Sequence, residues 1–497
     1  MGVIIKTRSG KKHNRHNRLS GLRLENFKGY KNSGTMPLAP LTIIVGKNSS
    51  GKSSLIKALL VMAQTVRDPP RNNEATKSSK SDLRLNGKLT NLGTFFDTVN
   101  GNSGNEFSIS FSAEPNVKSL DDSSHEYVYR FSYQKSDESP LQAQFSGVSV
   151  HYGKSKLLSA KGISLASLRE GRHPHGHDLK YVKLGEEVLF HEKDPKETEN
   201  KFITALLEAM KNHHQSQEGF VDNPDDDHFI LRLDGLGLSI TNSSPLRPEV
   251  EARRALYGQT TEILGLLEGY LSGAVYVGPL REQPSREARI SHSSESDIGI
   301  RGEDLPQMLH SLRDDHSFMG RLNEHLKSLK IGDSVHTSTS FTNSKNGEVR
   351  DTGFVRTHVV KDGVSRSLMD LGFGTSQVLP VLFQLTLQKD RLILLEQPEL
   401  HLHPSAQSEL GTIFLDSMDR GNQLIVETHS ANIIARIQKL IRDKKIDCDD
   451  VQLLYMKSEN DETKCVPIGF YEDGTFDETW PEDDFFSSLE KDLINWG

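Results

Sequence analysis

The sequence predicts an α/β fold whose core, built on a mixed sheet, is interrupted by a long strand-and-helix insertion, and three observations predict it. An apolar run at residues 41–45 leads through a Gly/Ser-rich loop into a helical run at 53–65, a strand, loop and helix unit. Two more short apolar strands, at 391–395 and 423–426, return late in the chain and finish in polar residues. Between these pieces, from residue 106 to about residue 158, apolar and polar residues alternate, as in Phe107-Ser108-Ile109-Ser110-Phe111 and Tyr127-Val128-Tyr129-Arg130-Phe131. That is the pattern of half-buried antiparallel strands.

Taken in order, residues 1–19 form a basic flexible leader with Lys6, Arg8, Lys11, Lys12, Arg15 and Arg18. No aromatic residue is interleaved to stack on bases, so it reads as a solvated tail, with a nucleic-acid-binding arm as the alternative. Residues 20–105 form the N-terminal part of the core, with a strand at 22–27 and a polar loop at 68–81. Residues 106–271 are the insertion, strand-rich and then helical, with helical periodicity at 198–211 and 248–271. Residues 272–365 are helical and connecting, with one helical run at 305–329, and residues 366–497 are the C-terminal part of the core. No heptad run is long enough for an extended coiled coil, and no repeat of 20 to 50 residues is present.

Composition excludes several classes. Across 497 residues, 60 Lys+Arg stand against 68 Asp+Glu, so any nucleic-acid contact has to come from a local patch rather than from the net charge of −8. Two cysteines, Cys448 and Cys465, cannot build a disulfide framework or a four-thiolate zinc site, which fits a reducing compartment. No apolar run approaches the roughly 18–20 residues of a membrane span. The N-terminus lacks the apolar stretch of a secretory signal, so the expectation is a soluble, cytoplasmic protein with no membrane partner.

Three motifs carry chemistry. Gly46-Lys47-Asn48-Ser49-Ser50-Gly51-Lys52-Ser53 has the phosphate-loop spacing, directly after a buried strand and directly before a helix. Amides of Asn48, Ser49, Ser50, Gly51, Lys52, Ser53 and Ser54 would face phosphates, with Lys52 on the β- and γ-phosphates and the Ser53 hydroxyl on Mg²⁺. Leu392-Ile393-Leu394-Leu395-Glu396 is an apolar strand ending in a carboxylate, the Walker B form, which makes Glu396 the second metal candidate. In Ile425-Val426-Glu427-Thr428-His429-Ser430, His429 stands at a strand's carboxyl end, where it would contact a γ-phosphate or position water. His401-Leu402-His403 lacks the accompanying ligands of a zinc site and reads as a structural turn.

These residues resemble the ATP-binding cassette class of ATPase heads, the group that includes SMC-type, RecF-like and OLD-like proteins. The resemblance makes Gly46 to Ser53 the Walker A motif, Glu396 the Walker B acid and His429 the switch histidine. Met369-Asp370-Leu371-Gly372-Phe373-Gly374-Thr375-Ser376-Gln377 then looks like the signature motif. In that family it caps, from the partner subunit, the γ-phosphate bound by the other, which implies roles for Gly374, Ser376 and Gln377. Weaker matches at residues 92–97, 276–281 and 473–486 are similar to prokaryotic anti-phage ATPases, the Septu PtuA-like and PARIS AriA-like subunits. The glutamine loop of the family has no clear counterpart beyond the neighbourhood of residues 92–97.

Two departures matter. Where most cassette ATPases carry a catalytic Glu after the Walker B acid, this chain has Gln397, whose neutral amide can orient water but cannot take its proton. Hydrolysis would then be slow, use Glu399, or need a partner. The residues from 430 to 497 are also too few for the nuclease domain that OLD-like proteins append, so any effector would be a separate protein. The resemblance therefore implies a P-loop ABC-ATPase core that uses ATP and Mg²⁺. It would act as a head-to-tail homodimer, or a higher oligomer, and control a nuclease or toxin in an anti-phage system. The rival is a RecF- or SMC-like ATPase that contacts DNA. Arg281, Arg286 and Arg289 would supply the basic face for it, unless Arg281, at a strand end, braces the site instead. A third reading, a catalytically weak scaffold, rests on Gln397.

Overall fold

The computed structural model describes residues 18–68, 82–101, 104–113, 127–136, 140–152, 155–161, 267–290, 298–343 and 349–477, with short pieces between 178 and 265. The basic leader up to residue 17, the helical periodicity at 198–211 and most of that at 248–271, most of the polar loop at 68–81 and the match at 478–486 lie outside the described residues. The described residues form two compact units, those within 38–56 and 274–477 in one and those within 18–37 and 57–273 in the other. Of the described residues between 20 and 105, those at 38–56 group with the C-terminal part and the others with the insertion.

The first unit is built on a six-stranded sheet in the order Val275–Val277, Leu392–Glu396, Gln423–Glu427, Leu41–Gly46, Val451–Glu459, Glu462–Ile468. The first five strands run parallel and only the last is antiparallel, the mixed α/β sheet expected. Every residue of the three strands Leu41–Gly46, Leu392–Glu396 and Gln423–Glu427 is buried, which is why they read as unbroken apolar runs rather than alternating ones. The helices Phe373–Leu387, Pro404–Asp419 and Ala431–Arg442 bury Leu379, Leu382, Phe383, Leu410, Phe414, Ile433 and Ile437 in the same core. Because all five strands are parallel, their carboxyl ends lie along one edge, where ligands of open α/β sheets bind.

Two differences from the sequence reading concern residues 272–365. The helical run at 305–329 is two helices, Leu305–Ser311 and His316–Ser328, because the Asp315 carboxylate accepts the Phe318 N–H (3.0 Å) and starts a new helix. The region also contains a long antiparallel hairpin, Ser334–Asn343 with Val349–Lys361, whose Ser/Thr/His-rich sequence masks its strand pattern.

In the second unit, Leu19–Phe27 pairs with Tyr30–Pro37 and Glu106–Ala113, and the sheet continues antiparallel through Tyr127–Lys135, Gln142–Tyr152 and Ser155–Lys161. Register places Phe107 opposite Tyr133, Ile109 opposite Phe131 and Phe111 opposite Tyr129, so the alternation in sequence becomes one aromatic layer. Phe107 packs its ring 5.7 Å from Phe27 and 5.6 Å from Phe95 and Tyr133. At 92–97, Thr94 and Asp97 form a reciprocal capping box on the helix Phe95–Thr98, and a Cβ on Gly93 would meet the Asp97 carboxylate at 2.6 Å. The residues matched there thus make a helix start.

Candidate functional site

Two glycines set the backbone of the loop that has the phosphate-loop spacing. Gly46 and Gly51 take φ of 141° and 93°, and a Cβ on them would come within 2.1 Å of the Met456 carbonyl oxygen and 2.4 Å of Thr463 Oγ1, so only glycine fits. Ser49 is also left-handed, with φ of 63°. Lys52 is buried, and its Nζ donates to the carbonyls of Gly46 (2.8 Å) and Lys47 (2.6 Å), which curls the loop around the ammonium. The helix Lys52–Arg67 starts at this point and directs its positive dipole end to the loop, with Asn48 exposed and Ser50 buried.

The carboxyl ends of the neighbouring strands supply the acids. Glu396 and Glu427 are register partners on adjacent parallel strands, so their side chains leave the same face of the sheet. Both are buried. The Ser53 hydroxyl donates to Glu427 Oε2 at 2.9 Å, and the Tyr276 hydroxyl donates to Glu396 Oε1 at 2.9 Å. Burial raises the Tyr276 pKa far above the ordinary phenol range and the Glu396 carboxylate adds to it, so this phenol stays protonated as a donor.

Arg281 is 5% exposed. Its Nη2 donates to the carbonyls of Glu396 (2.8 Å) and Gln397 (3.1 Å), clamping the backbone where the strand turns. Burial lowers its pKa to about 10 against the opposing pull of Glu399, so it keeps its charge at neutral pH. Arg286, by contrast, pairs with Asp370 at the surface, and Arg289 is exposed. The three arginines that sequence alone groups as a basic cluster therefore do different things. Gln397 has φ of 46°, and its N–H donates to the Glu427 carbonyl at 2.7 Å.

Glu399 Oε1 accepts the His429 N–H at 2.8 Å, and burial raises its pKa against the hydrogen bonds and the Arg281 charge. That contact makes Glu399 a holder of the His429 backbone. The His429 imidazole is half-buried, and burial followed by the nearby Lys52 charge lowers its pKa, so it is neutral at pH 7. Ser430 caps the next helix through the Ile433 N–H and donates to Gln407.

Gly374, Ser376 and Gln377 lie in the first turns of the helix Phe373–Leu387. A Cβ on Gly374 would sit 2.5 Å from the His401 carbonyl oxygen, so this glycine allows the close approach of the turn after Glu396. The Ser376 hydroxyl is buried and donates back to the Phe373 carbonyl (2.8 Å), and Gln377 Nε2 reaches the Arg281 carbonyl at 3.5 Å. The His401 ring, on a residue with φ of 64°, packs edge-on against Phe373 with 4.6 Å between centroids, while His403 Nδ1 accepts the Ser405 N–H as a helix cap. Both histidines thus serve the turn and the helix that follows it.

The structure brings Ser53, Lys52, Glu396, Gln397, Glu399 and His429 to one sheet edge. Sequence reasoning leaves Glu427 and Tyr276 outside the candidate set. A signal for Glu427 is present, a charged residue ending an otherwise apolar strand just before His429; Tyr276 gives none until its strand pairs with Leu392–Glu396. Ser53, Glu396 and Glu427 offer a hydroxyl and two carboxylates, an all-oxygen set that fits a hard divalent ion such as Mg²⁺.

Residues 18–218 match the family model described as "AAA ATPase domain", and residues 275–435 match "AAA domain, putative AbiEii toxin, Type IV TA system". No curated protein matches the chain. Similar solved structures include an SMC head bound to the C-winged helix domain of ScpA, at 13% identity over 91% of this chain and 97% of that one, TM-score 0.40. Others are an Smc head domain bound to the C-terminal domain of ScpA from Pyrococcus furiosus (12%, 96% and 98%, 0.37) and the SMC head domain from Thermotoga maritima (12%, 90% and 98%, 0.37). No helix among the described residues is long and apolar enough to cross a membrane. By its two family matches, the chain is similar to AAA-type ATPase domains over both 18–218 and 275–435.

Proposed function

We propose that the chain is an ATP-binding and hydrolysing switch that works as a head-to-tail dimer and controls a separate effector, such as a nuclease or toxin, in anti-phage defence. The observation that carries the reading is the meeting of Ser53, at the mouth of the glycine-restricted loop, with the paired carboxylates Glu396 and Glu427 and with His429. The AAA ATPase matches support nucleotide chemistry, and the toxin and toxin–antitoxin wording of one of them supports a place in defence. Asn48 to Ser54 would hold the phosphates, and Ser53, Glu396 and Glu427 would hold Mg²⁺, whose charge offsets that of the β- and γ-phosphates. Neutral His429 would accept from, or position, the attacking water, and Glu399 keeps it in place.

Met369, in the short turn before the signature helix, and Phe373, its first residue, are 50% and 44% exposed, which suits a surface that a second copy covers. Because the Ser376 hydroxyl is turned inward, the trans contact to a γ-phosphate would run through the backbone amides at this helix start. Arg281 is engaged inside the site, so the DNA-maintenance reading loses one of the three members of that basic cluster.

Steady-state ATP hydrolysis with Mg²⁺, with and without duplex DNA, tests the proposal: slow turnover indifferent to DNA is expected. Salt-sensitive DNA affinity that rises with ATP would favour the DNA-maintenance reading instead. Gln397→Glu is expected to raise turnover about tenfold by restoring a proton acceptor. Its backbone is already fixed by Glu427 and Arg281, so the substitution changes only the side chain. An unchanged or lower rate would remove Gln397 as the cause of slow hydrolysis and, with it, the scaffold reading.

A further inference from the structure

We infer that Glu427 is a carboxylate on which the divalent cation of this site depends, acting through the P-loop hydroxyl as the Walker B acid would be expected to. The inference rests on the ATP reading above and assigns the cation's contacts within it. In the structure the acid that Ser53 addresses is Glu427, by a 2.9 Å hydrogen bond to Oε2. Glu396, the residue in the Walker B position, accepts instead from the Tyr276 hydroxyl at 2.9 Å.

Topology explains the exchange of partners. The strand Gln423–Glu427 lies between the P-loop strand and the strand Leu392–Glu396, so a carboxylate at its end is one strand nearer to Ser53 than Glu396 is. Glu427 is buried, and its backbone is fixed on both sides: its carbonyl accepts the Gln397 N–H at 2.7 Å, and the next residue, Thr428, donates its N–H to the Ile44 carbonyl at 3.1 Å. A buried carboxylate held this rigidly beside a second one in register is stable as an anion pair when a cation is shared between them. Mg²⁺ is commonly bound by one or two carboxylates together with phosphate oxygens and water, which matches a hydroxyl flanked by two acids. Tyr276 then positions Glu396 through the hydrogen bond to its Oε1.

The test is nucleotide affinity, read with a fluorescent ATP analogue in Mg²⁺ and again in EDTA, together with Mn²⁺ titration followed by electron paramagnetic resonance. Glu427→Gln keeps shape and hydrogen bonding but removes the charge. It is expected to weaken Mn²⁺ binding about 10–100-fold, the size of effect typical of groups that support a metal site. It should also abolish most of the gain in ATP affinity that Mg²⁺ gives, while affinity in EDTA stays at the wild-type value. Tyr276→Phe should give a smaller loss by the same readouts, and unchanged thermal unfolding of both variants shows that the fold persists. Wild-type Mn²⁺ and Mg²⁺ dependence in Glu427→Gln, with loss confined to Glu396→Gln, overturns the inference and leaves the ATP reading standing. If Glu427→Gln does not fold, Glu427→Asp, which keeps the charge one methylene farther back, must show the weakened Mn²⁺ affinity or the inference fails. Absence of saturable nucleotide binding by the wild type overturns the ATP reading and this inference with it.

Discussion

Replacing Lys52 by alanine is expected to lower ATP turnover by about 10²–10³-fold, the cost of deleting one preorganised charge-stabilising donor. Lys52 is buried, and its ammonium is held by the Gly46 and Lys47 carbonyls, so the donor is already aimed into the loop. The loop itself is set by Gly46 and Gly51, not by the lysine, so thermal unfolding should move little. A kinetic assay at matched protein concentration, paired with a thermal melt, checks both points. Retention of more than about a tenth of wild-type turnover would mean that the loop does not carry the chemistry.

Replacing Arg281 by alanine is expected to destabilise the core by about 3–5 kcal/mol, the cost of breaking a buried charged group away from its partners. Two carbonyls, of Glu396 and Gln397, lose their donor, and buried Glu399 loses the cation that favours its charged form. Glu399 should then take up a proton more readily, because burial already raises its pKa and the opposing Arg281 charge is gone. The sign follows from linkage: a carboxylate whose folded pKa lies above its unfolded value weakens the fold at neutral pH, and the penalty shrinks as pH falls through the folded pKa. The variant's deficit, measured by urea unfolding, should therefore be larger at pH 7.5 than at pH 5. A loss under about 1 kcal/mol at both pH values would show that Arg281 behaves as a surface residue.

What is legible in the sequence is local. The P-loop can be read because strand, glycines, lysine and helix are contiguous, and the structure gives each glycine a positive φ at which a side chain collides with backbone or Thr463. The strands of the parallel sheet can be read as buried, since an unbroken apolar run is what burial on both faces requires. Neighbour relations cannot. Tyr276 lies 120 residues from Glu396 in the chain, and only the pairing of their strands brings the two together. Arg281 resembles Arg286 and Arg289 in sequence, and burial alone separates a backbone clamp from a surface ion pair. Glu427 escapes a sequence reading because periodicity says that a residue ends a strand, not which strand lies beside it. That the Ser376 hydroxyl turns back on the Phe373 carbonyl is likewise visible only once the helix is formed.

ATP is expected to bring two copies of the chain together. Sedimentation of the full chain measures this directly with a non-hydrolysable ATP analogue and Mg²⁺, with ADP and Mg²⁺, and without nucleotide. A mass of two chains is expected with the ATP analogue and a return toward one in ADP or no nucleotide, with Phe373→Asp blocking the nucleotide-dependent dimer. The same mass in all three conditions, despite saturable ATP binding, would contradict it.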